Sequence, residues 1–219
     1  MARKFTGNFT QQEGLSEDAI AAAVAVLQSG RLHRYNLAPG EVGEVAQLEA
    51  EYRDWQGSKF CLAVTSGGQA LQIALRACDV APGDKVLTNA YTLAPVPGAI
   101  RAVGAEAVLV EIDENLRLDL DDLDAKIASS GARVLLLSHM RGHLCAMERL
   151  MAICDAAQVT VIEDCAHTMG ARWNGRRSGN FGKVACFSTQ TYKHMNSGEG
   201  GFLTTDDAEI AARATILSG

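Results

Sequence analysis

Seven short runs rich in apolar and β-branched residues recur along the chain: KFCLAV, KVLTNA, EAVLVEI, ARVLLLS, VTVIED, KVACFS and GGFLTT. Segments of helical character separate the first five: SGGQALQIALRAC, PVPGAIRAVG, DLDDLDAKIAS and AMERLMAICDAA. Strands that alternate with helices must pair through crossover connections, and right-handed crossovers put the helices on both faces of a mostly parallel sheet. The expected fold class is therefore α/β. Upstream, Ser16 is suited to cap a helix over 17–28, and GEVAQLEAEYRDW reads as a second helix. Downstream, a glycine-rich stretch runs from 170 to 182, and DAEIAARATILSG reads as a last helix with nothing after it to cover its other side. Pro82, Pro95 and Pro97 fall at loops or helix starts and no repeat or linker intervenes, so one compact domain is the simplest parse.

With 219 residues and 47% hydrophobic content the chain can bury one sizeable core. Its longest apolar run, AIAAAVAVL, is far short of the roughly 18 residues of a membrane-spanning helix. The start, MARKFTGNFTQQ, has two basic residues but no apolar stretch behind them, unlike a secretory signal. A cytoplasmic protein is expected. Six cysteines without a CxxC pair argue against a zinc site and a disulfide framework, so no metal is expected. The net charge of −6 includes no basic block, which disfavours nucleic acid or an anionic membrane as partner. Any anionic ligand must be held locally.

Three pieces of the sequence can do that and more. Ser66, Gly67 and Gly68 open a helix directly after a strand, where free amides and the helix dipole favour a phosphate; a plain tight turn would read the same way. VTVIED delivers Glu163 and Asp164 to a strand end, with His167 three residues past Asp164, and open α/β sheets bind ligands at such ends. Lys193 lies in STQTYKHMNSGEGG, ahead of Gly198, Gly200 and Gly201. Singly, these residues suit a loop aspartate, a core histidine and a surface lysine. Together they are the parts that pyridoxal 5'-phosphate requires: a phosphate cradle, a carboxylate that keeps the pyridine nitrogen protonated, and an amine that forms the Schiff base.

SGGQALQIAL, TNAYTLAPVPGAI, VIEDCAHTMGARWNGRRSGNFG and CFSTQTYKHMNSGEGGFLTT together resemble the DegT/DnrJ/StrS family of pyridoxal phosphate-dependent sugar aminotransferases. The resemblance implies an aspartate aminotransferase-like large domain, fold type I. It implies Lys193 as the Schiff-base lysine, Asp164 as partner of the pyridinium nitrogen, and His167, often glutamine in the family, near the cofactor's phenolic oxygen. Ser188 would bind the phosphate with the backbone of Gly67 and Gly68, and Tyr91 falls where an aromatic stacks on the ring. Glu199 reads as structural. The implied reaction moves an amino group from an amino acid, glutamate or glutamine, to a keto sugar, nucleotide-linked or not, or a similar cyclic ketone, in a homodimer.

Three departures stand out. Gly68 occupies a position where the family commonly has threonine. SGRLHRYNLAPGEVGEV differs from the usual glycine-containing substrate loop. Family members run to nearly twice this length, so residues 1–219 are expected to be an N-terminal arm plus the large domain, without the small C-terminal domain. Two other readings stay open: a dehydratase or lyase of the same fold, although related sugar dehydratases replace the lysine by histidine, and a non-catalytic regulatory fragment.

Overall fold

The computed structural model describes residues 6–8, 14–34 and 37–219. The leader reading of MARKFTGNFTQQ falls largely on residues outside these. Two compact units divide the chain after Glu41. In the first, α1 (Glu17–Ser29) is capped by Ser16, whose Oγ accepts the Ala19 N–H, and no residue of this helix is buried. Arg31 and Glu41 form an ion pair within the same unit, with one contact of 2.7 Å.

The second unit is built on a seven-stranded sheet. Its elements in chain order are α2 (Glu44–Gln56), β1 (Phe60–Val64), α3 (Gly67–Ala77), β2 (Lys85–Asn89), α4 (Pro95–Ala102), β3 (Glu106–Val110), α5 (Leu120–Ser130) and β4 (Val134–Ser138). They continue with α6 (Met147–Ala156), β5 (Thr160–Asp164), β6 (Arg172–Trp173), β7 (Arg176–Arg177), β8 (Val184–Ser188), β9 (Gly201–Thr205) and α7 (Ala208–Leu217). The strand order is β1-β9-β8-β5-β4-β2-β3, parallel throughout except that β9 runs against both its neighbours. The expected mostly parallel α/β fold is what forms.

Period-two alternation divides the core into layers. Val86, Leu136, Ile162, Val184 and Leu203 face one side, under Leu71, Ala74 and Leu75 of α3, Ile100 of α4 and Ala214 of α7. Leu87, Leu135, Leu137 and Val161 face the other, under Leu123 of α5 and Leu150 of α6. On that second side of β8 and β9, Phe187 and Phe202 pack with Tyr52 of α2, whose ring stacks on Phe202 at 4.1 Å between centroids.

The glycine-rich stretch from 170 to 182 contains more order than its composition suggests. β6 and β7 form a two-stranded hairpin, turning at Asn174 (φ 46°) and Gly175 (φ 82°). Asn-Gly adopts such left-handed conformations readily, and they match the twist of the flanking strands. All six cysteines are free thiols, four of them buried. Among the described residues no helix is long and apolar enough to cross a membrane.

Candidate functional site

Four parallel strands, β2, β4, β5 and β8, end on polar residues: Asn89, Ser138, Asp164 and Ser188. In the sheet register Ser138 is level with Asp164, which lets the two side chains meet. Ser138 Oγ donates to Asp164 Oδ2 at 3.0 Å and accepts from Thr92 Oγ1 at 2.8 Å. Ser138 is itself fixed by Asn89, which accepts its N–H at 2.9 Å and donates to its carbonyl at 3.0 Å. The other carboxylate oxygen of Asp164 accepts the Ala166 N–H at 3.1 Å. Each oxygen thus has one donor from the protein, and the carboxylate is only partly buried. It is aimed, and it retains acceptor capacity for a donor from a ligand.

Across the sheet, β1 runs into α3. Ser66 caps the helix by accepting the Gln69 N–H at 3.0 Å, while its carbonyl takes Ala70 N–H. The amides of Gly67 and Gly68 are left among the unpaired donors of the first turn, which is where an anion can be held. Close packing defines the wall of this cradle. A Cβ on Gly67 would lie 2.8 Å from Ser188 Cβ, and one on Gly201 would lie 2.8 Å from the Gly67 nitrogen. Ser188 and Gly201 are opposite each other in the β8–β9 register, so this paired strand end abuts the helix start. Gly68 is different. Its backbone is outside the left-handed region, and a Cβ there would have only Ser66 Oγ near it, at 3.8 Å.

Lys193 belongs to the connection between β8 and β9. Thr189 N–H bonds to the carbonyl of Gly200, Thr191 N–H to that of Gly198, and Lys193 N–H to that of Gln190. Its amine is 2.8 Å from His167 Nε2, and His167 Nδ1 accepts the backbone N–H of Arg141 at 3.2 Å. Burial and the Arg141 charge lower the Lys193 pKa from its ordinary value, against the opposing pull of Asp164. Burial lowers His167 likewise, with the neighbouring Lys193, Arg141 and His194 acting in the same direction and Asp164 again opposing.

Glu163, next to Asp164 on β5, faces the other way and serves the fold. One oxygen accepts from Phe181 N–H at 2.8 Å and Gly182 N–H at 2.7 Å; the other accepts from Gly179 N–H at 2.9 Å and lies 3.0 Å from His139 Nε2. Burial opposes its ionisation, yet His139 and these amides hold its pKa below the usual glutamate range. His139, Glu163 and Cys165 lie close enough to share a cation. The two glutamate oxygens are already committed to four donors, so the cluster reads as a brace for the 179–182 turn.

Of the candidates named from sequence, Asp164, His167 and Lys193 converge, and Gly67, Gly68 and Ser188 form one cradle. Tyr91 follows β2 by two residues and is half-buried, with no hydrogen bond or ring contact to the others among the described residues. Sequence reasoning missed Asn89, Thr92, Ser138 and the Arg141 amide. The available signal was that Asn89, Ser138, Asp164 and Ser188 each close a strand on a polar residue.

The residues present fit a phosphorylated, planar aldehyde cofactor: two free helix-terminal amides beside a serine, an oriented carboxylate, and a half-buried amine of lowered pKa.

A model of the DegT/DnrJ/EryC1/StrS aminotransferase family matches residues 14–219. The chain is 33% identical over 205 residues to the spore coat polysaccharide biosynthesis protein SpsC of Bacillus subtilis (strain 168), covering 93% of this chain and 51% of that protein. It is 38% identical over 177 residues to the dTDP-3-amino-3,6-dideoxy-alpha-D-galactopyranose transaminase of Aneurinibacillus thermoaerophilus, covering 80% of this chain and 48% of that one. An aminotransferase from Psychrobacter cryohalolentis superposes with a TM-score of 0.85 at 28% identity, over 95% of this chain and 52% of that one. The chain spans about half the length of the relatives it matches.

Proposed function

The chain belongs to the DegT/DnrJ/EryC1/StrS aminotransferase family, and from that premise we propose that it is the N-terminal arm and cofactor-binding large domain of a pyridoxal phosphate-dependent sugar aminotransferase. The proposed reaction takes the amino group of an amino acid, glutamate or glutamine, to a keto sugar, with a nucleotide-linked sugar as the favoured acceptor. The relative named as a dTDP-amino sugar transaminase supports that acceptor class. The observation that carries the reading is the meeting of Lys193 with His167 beside the anchored carboxylate of Asp164.

When bound, pyridoxal phosphate supplies an aldehyde carbon to carry the amino group and a ring that withdraws electrons from it. Gly67 and Gly68 would hold the phosphate through their amides, with Ser188 Oγ beside them. Asp164, held by Ser138 and the Ala166 amide, would keep the ring nitrogen protonated by offering it an anionic acceptor. Tyr91 would pack against the ring. Lys193 would hold the aldehyde carbon at rest and, once displaced by the donor, would carry the proton from the donor's α-carbon, work that suits an amine whose pKa is lowered toward neutrality. His167 would orient that amine.

A second copy of the chain is part of the proposal. A largely apolar groove of about 380 Å³, lined by Leu48, Tyr52, Trp55, Met169 and Met195 and bordered by Glu51 and His194, offers a surface for it to cover. The six free thiols suit a reducing compartment, so the protein is assigned to the cytoplasm.

Borohydride treatment of the protein with pyridoxal phosphate tests the assignment. The cofactor's mass is expected on the peptide carrying Lys193. Label on Lys85 or Lys183, with Lys193 unmodified, rejects it.

A further inference from the structure

The hydrogen-bond polarity around His167 fixes a proton count that neither the family nor the proposed reaction specifies. The Arg141 N–H is a fixed donor aimed at Nδ1, 3.2 Å away. That nitrogen must therefore present its lone pair. A neutral imidazole carries one proton, which is then on Nε2. The atom 2.8 Å from Nε2 is Lys193 Nζ, and it must accept. An ammonium group has three protons and no lone pair, so it cannot be that acceptor. From this we infer that Arg141 and His167 together hold Lys193 as a neutral amine in the cofactor-free site, with Arg141 acting through its backbone as a positioning residue.

The local backbone is shaped for this. Arg141 has φ 56°, a left-handed conformation uncommon for a residue with a side chain, and Gly142 follows at φ 85°. The pair lies in the turn Met140–Gly142, one residue beyond the strand that ends at Ser138. A Cβ on Gly142 would lie 3.7 Å from the His167 carbonyl, so the turn packs against the loop it addresses.

The charged groups that act on the amine are Asp164 at the end of β5 and Arg141 on this turn, while the titratable His194 of the Lys193 loop lies toward His167. Asp164 favours the ammonium, and burial of the amine outweighs it. The Arg141 charge adds to burial in favouring the amine. Burial lowers the pKa of Lys193 and of His167 alike, which favours the neutral form of each. The inference rests on the proposed function only for its use: a neutral amine can add to an aldehyde carbon without first losing a proton.

Glutamine at 167 would keep this polarity, its carbonyl accepting from Arg141 and its amide donating to Lys193. Glutamate would reverse the second half, because a carboxylate only accepts and so favours the ammonium.

Two measurements on the cofactor-free chain test the inference. Nitrogen NMR of the histidine-labelled protein at neutral pH is expected to show His167 with a pyrrole-type Nε2 and a pyridine-type Nδ1. The opposite tautomer, or two protonated nitrogens, overturns it. Competitive acylation across neutral to alkaline pH, read by peptide mass, is expected to give Lys193 a midpoint below those of exposed Lys59 and Lys85. His167→Gln should keep that midpoint, whereas His167→Glu should raise it, lowering Lys193 labelling about tenfold at a fixed pH below both midpoints, the change in amine fraction for one pKa unit. Equal midpoints for the three lysines, or identical profiles for the two variants, overturn the inference. Neither measurement contains cofactor, so failed trapping of pyridoxal phosphate on Lys193 would reject the proposed function while leaving this result standing.

Discussion

Gly68 is the second residue of α3, and its amide is one of two in the cradle that the helix does not use. Because its backbone is not left-handed and a Cβ there meets only Ser66 Oγ at 3.8 Å, a side chain fits without moving the turn. A threonine hydroxyl would add a hydrogen bond to a charged ligand, worth about 1.5 to 3 kcal/mol, which is tenfold or more in affinity. Gly68→Thr is therefore expected to bind pyridoxal phosphate about tenfold more tightly, read as the dissociation constant by equilibrium dialysis. An unchanged or weaker constant would show that the hydroxyl does not reach the phosphate. Asp164 presents the complementary case. Its identity was legible because an acid at the end of an apolar strand is conspicuous, whereas the residue that aims it was not. Ser138 is one serine among many until the β4–β5 register sets it level with Asp164.

At the level of elements, the packing of α3 against the β8–β9 pair decides whether the cradle exists. Gly201→Ala would bring a Cβ to 2.6 Å from the Phe187 carbonyl oxygen and 2.8 Å from the Gly67 nitrogen, both backbone atoms that cannot rotate away. The variant is expected to lose about 1 to 3 kcal/mol of stability and much of its cofactor retention together, in urea melts and dialysis respectively. Gly98 is the contrast: it lies inside α4 with nothing near a Cβ, so Gly98→Ala should gain about 0.5 to 1 kcal/mol and leave retention unchanged. The main strands and helices were readable because their apolar periods are strong and their ends carry glycines, prolines and caps. The β6–β7 hairpin was hidden by two-residue strands, too short for alternation to register, although Asn174 and Gly175 did signal its turn. Close approaches such as that of Gly201 to Gly67 join residues far apart in the chain, and no local pattern encodes them.

Across the whole molecule, Glu163 links stability to pH. Its pKa is depressed in the fold, so its contribution is fully present above the unfolded value of about 4.3 and is lost as pH falls through the lower folded value. Glu163→Gln offers an amide to amides and His139, and is expected to cost roughly 3 kcal/mol at neutral pH, with the two urea-unfolding curves converging in acid. A gap that persisted unchanged to low pH would mean the charge is not what the turn requires. Glu163 and Asp164 are consecutive on β5 and project to opposite faces. A one-residue slip of that strand would turn each of them to the opposite face. The 179–182 amides would then lose Glu163 and the ligand side would lose Asp164, so misregistered chains would be altered at turn and site at once. The strand in effect proofreads its own assembly. Titrated cofactor capacity in any preparation should therefore equal the folded fraction, with no population of well-folded but empty-handed molecules.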